Sequence, residues 1–501
     1  MRAENNYKCR EGRMNMIRKK WKKALAVLLA AAAVLGCGQG TVKAEDPEEE
    51  AKKAYELPVQ SDETKEWPQG PKVYGQSAIL IDADTGAILY EKNMDDRHYP
   101  ASITKILTAL LAVENADLNV DKVLFTKESV DFLEPGDAYI AMRPGEEITL
   151  KDAMYGMLLA SANEVSYAIA ENVGNKLPGD GTGYEKFMVR MNERAKELGA
   201  KNTHFVNPHG LFTEDHYTTA YDMAMISKEL FRYPDVLQIM QTGQYAIPPT
   251  NLEKEQRIFQ QKHQMLVKIS DKYYEYCVGG KTGYTDEAGN TLVTLADNGK
   301  MRLVCVEMAT RGNHIYDDTK NILEYGFQNF SKQELPSSVT EKIEKEGKVS
   351  LSQNSMMQAA LPNGAKAENL EWKAEKTDDG TQNVKIQLTY NGRKAGEVSG
   401  EKQEEDTGSG KTKKETKGWT FRLPDLPKLP KLGFHVDWRI AAGIGAGVLA
   451  LILLIVFIVK RKSRRNSFMR HRRKRIAKER RKARRINRKI KKNRSRTRKR
   501  W

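Results

Sequence analysis

Cysteine is scarce, with four in 501 residues. Cys9 and Cys37 fall in or before a targeting-type segment, which leaves Cys277 and Cys305 for the body of the chain, too few for a disulfide framework. The two read as buried free thiols, with a single bridge between them as the alternative. The eight histidines show no metal-ligand spacing. His209 and His216 stand seven apart across a glycine-containing loop and read as structural, so neither a metal nor a cofactor is expected. No internal repeat stands out, and there is no phosphate-binding loop: Gly410-Lys411-Thr412 ends like one, but position 405 is Glu and a charged linker surrounds it. Acids are nearly missing from one place. Lys460 to Trp501 holds 25 Lys/Arg against the single Glu479, whereas the first 459 residues hold 58 basic and 65 acidic residues, a net of −7. The overall charge of +17 therefore belongs to one tail, and a nucleic-acid partner is not expected.

Long apolar runs are also few, and two of them set the compartment. Met16 to Lys23 is basic, Ala24 to Leu35 is a short apolar run, and Val42-Lys43-Ala44 offers the small residues of a cleavage site, the pattern of a secretory signal. Residues 1–13 read as an upstream extension. Val34-Leu35-Gly36-Cys37 resembles a lipobox, which would lipidate Cys37, but leucine before the glycine is untypical there, so ordinary cleavage is favoured. Ile440 to Val459 is a run of 20 residues without a charge. At about 1.5 Å per residue it spans a hydrocarbon core of roughly 30 Å. The polybasic tail behind it is expected in the cytoplasm, as a solvated segment that enforces topology, with contact to anionic lipid headgroups as the alternative, and everything before the span is expected outside. The signal-type segment demands the same orientation.

These features divide the chain into an extension and signal peptide (1–44), an acidic linker (45–74), a main domain (75–330), a small β domain (331–400), a linker (401–438), a transmembrane helix (439–460) and a cytoplasmic tail (461–501). Within the main domain, Ser77 to Asp82 and Ala87 to Glu91 are apolar runs around Asp84-Thr85-Gly86, which signals a hairpin. Helical periodicity follows to about Tyr233. Val278 to Leu295 and Met301 to Ala309 return to strands, with Asn298-Gly299 as the turn between the last two. Strands, then helices, then strands predict an α+β domain whose two ends share one antiparallel sheet.

Three short motifs occur in a set order. Ser102-Ile103-Thr104-Lys105 opens a helix behind Pro100, Ser161-Ala162-Asn163 sits at the junction of two helical runs, and Lys281-Thr282-Gly283 lies on an apolar strand behind two glycines. Each alone is weak, since Ser-x-Asn recurs out of order at Ser352-Gln353-Asn354. Their chemistry is coherent. A serine hydroxyl needs a base within reach, and one helical turn sets Lys105 beside Ser102. Burial and a second cation, Lys281, would lower the Lys105 pKa so that the amine can accept a proton. Ser161 can relay a proton, Asn163 can hold a peptide bond, and Lys281 with Thr282 suits a substrate carboxylate. Gly283 lets a substrate backbone lie close against the strand. The backbone N–H groups of Ser102 and Tyr284 are the expected oxyanion donors.

This ordered set resembles that of β-lactamases and penicillin-binding proteins. The likeness is greatest to the low-molecular-mass serine D-alanyl-D-alanine carboxypeptidases, and it runs from about Val73 to Phe330 through Asn207 to Leu211 (NPHGL) and His216 to Ala224. The resemblance implies a five-stranded antiparallel sheet flanked by helices, with a small β domain and the membrane helix behind it. It also implies a serine acyl-enzyme that releases D-alanine from peptidoglycan stem peptides, and inhibition by β-lactams. Ser102 would be the nucleophile, Lys105 the proton acceptor, Ser161 the relay, and Asn163, Lys281, Thr282, Gly283 and Arg311 the substrate contacts. A spanning segment departs from the family's usual surface-lying amphipathic helix. Two alternatives stay open. A β-lactamase would need a deacylating glutamate, but Glu193, Glu197 and Glu214 lack the Glu-x-x-Leu-Asn context. A penicillin-sensing receptor would need a folded internal domain, for which the tail is short and polar.

Overall fold

The computed structural model describes residues 46–352, 356–376 and 383–403. The signal-type segment, the linker from 404, the expected membrane helix and the basic tail lie outside the described residues. Among the described residues no helix is long and apolar enough to cross a membrane.

Helix α1 (Pro47–Tyr55) precedes strands β1 (Ser77–Asp82) and β2 (Ile88–Lys92). Helices α2 (Lys105–Asn115), α3 (Leu150–Leu158), α4 (Asn163–Gly174), α5 (Gly183–Glu197), α6 (Ala220–Ser227) and α7 (Pro234–Gln241) follow, with local signals marking several starts. Thr149 caps α3 by accepting from Asp152 N, and Thr182 and Glu185 form a reciprocal capping box on α5. Strands β3 (Cys277–Thr285), β4 (Gly289–Asp297) and β5 (Arg302–Thr310) then lead into α8 (Ile315–Asn329).

The five strands form one antiparallel sheet in the order β2-β1-β5-β4-β3, so the first and last strand segments do share a sheet. The β1–β2 hairpin closes where Asp82 Oδ1 accepts from Thr85 N and Oγ1, with Gly86 at φ 71°. The run Ser77 to Asp82 shows no polar alternation because both its faces are buried. Ile79 and Ile81 pack into the core formed with α2, α4 and α6, while Ala78 and Leu80 face a second cluster with Leu303, Ile322 and Leu323. Each such leucine or isoleucine side chain contributes about 1.5–3 kcal/mol on burial. Cys277 and Cys305 are both buried and free, so the bridge does not form. Burial pushes the Cys277 thiol up to about 12.

Two expectations need correction. The expected linker 45–74 is, from residue 46 on, folded structure: Asp46 caps α1, Pro47 opens it, and Glu48, Glu49 and Glu50 are its first turn, where carboxylates favour a helix. Ala51, Ala54, Val59, Trp67 and Val73 are buried, and Trp67 Nε1 donates to Leu89 O at 2.9 Å. The acidity that suggested a solvated spacer is helix-capping chemistry. The second correction concerns 331–400. Beyond β6 (Phe330–Glu334) and α9 (Ser337–Gly347) come β7 (Val349–Leu351), β8 (Gln358–Pro362), β9 (Glu371–Lys376), β10 (Asn383–Tyr390) and β11 (Arg393–Lys402). They pair as β6-β8 and as a sheet in the order β7-β11-β10-β9. This β unit is not separate. Leu361, Ile386 and Val398 share one apolar cluster with Leu80, Leu89 and Trp67, and Arg393 reaches Glu91 at 2.6 Å.

Candidate active site

Ser102 lies in a single 3-10 turn, Ala101–Thr104, that runs into α2. Ala101 has a left-handed φ of 49°, a strained value for a residue with a Cβ, and two glycines from distant segments make room for the turn. A Cβ on Gly283 would sit 2.8 Å from Ser102 N, and one on Gly210 would sit 1.9 Å from Ala101 O. Thr291 Oγ1 on β4 donates to Pro100 O at 2.9 Å and fixes the turn from the sheet side. Gly210 also has φ 88°, so Gly210→Ala should destabilise the protein by about 2–4 kcal/mol. Thermal unfolding checks this, together with a slowed reaction at Ser102.

Lys105 is fully buried at the start of α2, and its Nζ lies 2.9 Å from Ser102 Oγ. The same nitrogen donates to Asn163 Oδ1 at 2.8 Å and to His209 O. Burial, then the charges of Lys281 and Lys262, hold the Lys105 amine well below the usual lysine range. Ser161 links α3 to α4 with φ 64°, which turns its hydroxyl towards β3, where Lys281 Nζ donates to Ser161 Oγ at 3.0 Å. Lys281 also donates to Thr282 O, and burial with the nearby Lys262 brings its ammonium down to about 7. Asn163 begins α4, its backbone N–H bound to Ala138 O at 2.8 Å.

A cleft of about 560 Å³ opens over this cluster, lined by Ser102, Ser161, Thr282, Gly283 and Tyr284, with Asn313 and Tyr316 on the far wall. The structure thus gathers Ser102, Lys105, Ser161, Asn163, Lys281, Thr282, Gly283 and Tyr284. It does not bring Arg311 with them. Arg311 Nε pairs with Glu50 Oε2 of α1 at 2.7 Å, its Nη1 donates to Asp286 O, and it is not among the cleft-lining residues. The carboxylate available to it comes from the chain itself. Glu193 and Glu197 are spent on Arg190 and Arg194 along α5, and neither lines the cleft.

Three contributors escape motif reading. Lys262 lines the cleft and lowers both other lysines, yet nothing local in Gln-Lys-His marks it. The His209 carbonyl acts through its backbone, for which the only signal was the Asn-Pro-His-Gly-Leu text. Glu164, fully buried beside Asn163, accepts from Ile140 N at 2.7 Å and holds the segment that carries the cleft-lining Ala138. An acid inside an apolar helical run was the available sign. The rings of His209 and His216 are both buried. His216 Nε2 lies 2.9 Å from Thr104 Oγ1, and burial holds both rings in the uncharged form. No metal-binding group of His, Cys, Asp and Glu occurs among the described residues.

The family model described as D-alanyl-D-alanine carboxypeptidase matches residues 64–312. Residues 64–312 are thus similar to this family of carboxypeptidases. The chain is 40% identical over 237 residues to D-alanyl-D-alanine carboxypeptidase DacF of Bacillus subtilis, a match covering 46% of this chain and 56% of that protein. It is 32% identical over 275 residues to D-alanyl-D-alanine carboxypeptidase DacC of Escherichia coli, covering 52% and 63%. The chain therefore spans less than two thirds of these relatives' length. Among solved structures, the Streptomyces K15 DD-transpeptidase aligns at 25% identity with a TM-score of 0.47, covering 52% of this chain and 100% of that one.

Proposed function

We propose that this chain is a serine D-alanyl-D-alanine carboxypeptidase that trims the terminal D-alanine from peptidoglycan stem peptides, and that β-lactams inhibit it by acylating the same serine. One observation carries the reading: a fully buried lysine amine, depressed by burial and two neighbouring cations, 2.9 Å from the hydroxyl of Ser102. A neutral amine has two N–H bonds and one lone pair. The carbonyls of Asn163 and His209 take up both N–H bonds, which leaves the lone pair facing Ser102 Oγ.

Lys105 then accepts the serine proton as Oγ attacks the carbonyl carbon between the two D-alanines. The tetrahedral oxyanion is held by the N–H groups of Ser102 and Tyr284. Ser161 relays the proton from Lys105 to the departing amine as the C–N bond breaks, which leaves Lys105 neutral again, and D-alanine leaves with its own carboxylate released from Lys281 and Thr282. Gly283 gives the peptide backbone room along β3, and Asn163 orients its amide. Water then attacks the ester with Lys105 again as the proton acceptor. No cofactor enters this cycle. The body would lie outside a bacterial membrane, exported by the segment ending at Ala44 and held by the helix 439–460. Anionic lipid would contact the basic tail. Peptidoglycan lies on that side, and the charge pattern of the chain supports the same placement.

The test is intact-mass analysis after incubation with penicillin, beside D-alanine release from a synthetic stem pentapeptide. A slowly decaying adduct on Ser102 together with D-alanine release is the expected result. Rapid antibiotic turnover without D-alanine release would instead identify a β-lactamase, and an adduct with no peptide turnover a receptor.

A further inference from the structure

The family match begins at residue 64, and α1 lies upstream of it. We infer that α1 is a brace for the far wall of the cleft, with Glu50 a positioning residue that acts through Arg311; the catalytic consequence rests on the function proposed above. Three contacts converge on the segment Arg311–His314. Glu50 Oε2 accepts from Arg311 Nε at 2.7 Å, with the two side chains only 27% and 24% exposed, so the pair is partly shielded from solvent screening. Tyr74 stacks on His314 at 3.8 Å between ring centroids, and Tyr55 of α1 packs on Tyr74 at 4.6 Å. From the cleft side, Asn290 Nδ2 donates to Gly312 O at 2.8 Å. Gly312, Asn313, Ile315 and Tyr316 line the cleft, so the segment that α1 grips from outside is the one substrate meets from inside.

The grip is itself anchored. Lys92 is buried at the end of β2 and donates to Ala54 O at 2.8 Å and Val73 O at 2.7 Å, which clamps both ends of the upstream segment to the sheet. Tyr74 N donates to Asp318 Oδ2 at 2.7 Å, tying the same segment to α8. Arg311 Nη1 also donates to Asp286 O in the turn after Tyr284, so Glu50 sets the guanidinium that joins the far wall to the strand carrying Lys281. Gly312 at φ 75° has no side chain to hold the wall from within. The ion pair adds, from outside, to the hold that Asn290 gives Gly312 O from the cleft side.

The full chain with Glu50→Gln tests this. Hydrogen exchange at residues 310–316 should quicken by about tenfold while β4 is unaffected. The KM for the stem pentapeptide should rise about three- to tenfold with kcat within twofold, the mark of a lost binding wall rather than lost chemistry. Glu49→Gln, on the same turn and paired along the helix with Lys53 at 3.6 Å, should change neither. Unchanged exchange at 310–316 overturns the inference, as does faster exchange spread over the whole sheet with a fall in kcat. If the wild-type chain releases no D-alanine but Glu50→Gln still frees 310–316, the functional reading fails and the brace stands.

Discussion

Ser102→Ala should abolish the penicillin adduct and lower D-alanine release by at least ~10⁴-fold, because residues that act as one nucleophilic unit lose nearly everything when the nucleophile goes. The substitution removes one hydroxyl whose recorded partner is Lys105 Nζ, and it leaves the turn, Thr104, and the clamps from Gly283 and Gly210 in place. Thermal unfolding should therefore shift by no more than about 2 °C. Intact mass, D-alanine release and a melting curve on the same preparation separate lost chemistry from lost fold. An adduct at another serine with undiminished release would remove Ser102 from the reaction.

Lys105→Met should slow acylation by about 10³-fold or more and change the shape of the pH profile. The sign follows from the two lysines. Lys105, depressed by burial and by Lys281 and Lys262, gains a proton as pH falls through its lowered value, and the protonated amine cannot take the serine proton. The wild-type kcat/KM therefore falls on the acid side. On the alkaline side the opposite need applies, since Lys281 must keep its proton to attract a carboxylate. With Lys281 brought down to about 7, that limb begins near neutrality in the free enzyme. A bound carboxylate favours the charged form, so the alkaline limb of kcat should lie higher than that of kcat/KM. The methionine variant loses the acid limb and keeps the alkaline one. An acid limb that persists in Lys105→Met would assign the proton acceptor elsewhere. The two groups interact, so the profile reports apparent values for the pair.

Much of the site was legible because its chemistry is local: Ser102 and Lys105 sit one turn apart, and the strand around Lys281 reads as apolar and buried. The sheet was legible because β1 and β5 are runs buried on both faces. What escaped depended on partners far away in the chain. Arg311 was placed by resemblance at the carboxylate pocket, but Glu50, 261 residues upstream, takes its guanidinium. The acids of α1 suggested a spacer when read by composition, although Asp46 and Pro47 already carried the signal of a helix start. The β strands of 331–400 showed in the alternation of Val384, Ile386 and Leu388, while their burial against Leu80 and Trp67 left no local trace. Lys262 acts through its field, and a field has no motif.

The join between the two sheets has a mechanical meaning. The described chain leaves through β11, which has β7 on one side and β10 on the other, and Glu397 N on that strand reaches Thr85 O in the β1–β2 hairpin at 2.9 Å. Tension from whatever follows residue 403 would load two rows of backbone hydrogen bonds in shear before it reached Arg393 and Glu91, and β2 is the edge of the main sheet farthest from Lys281. A pull on the chain at residue 403 would therefore be taken up first by the pairs of β11 and at the β2 edge, the sheet edge opposite β3.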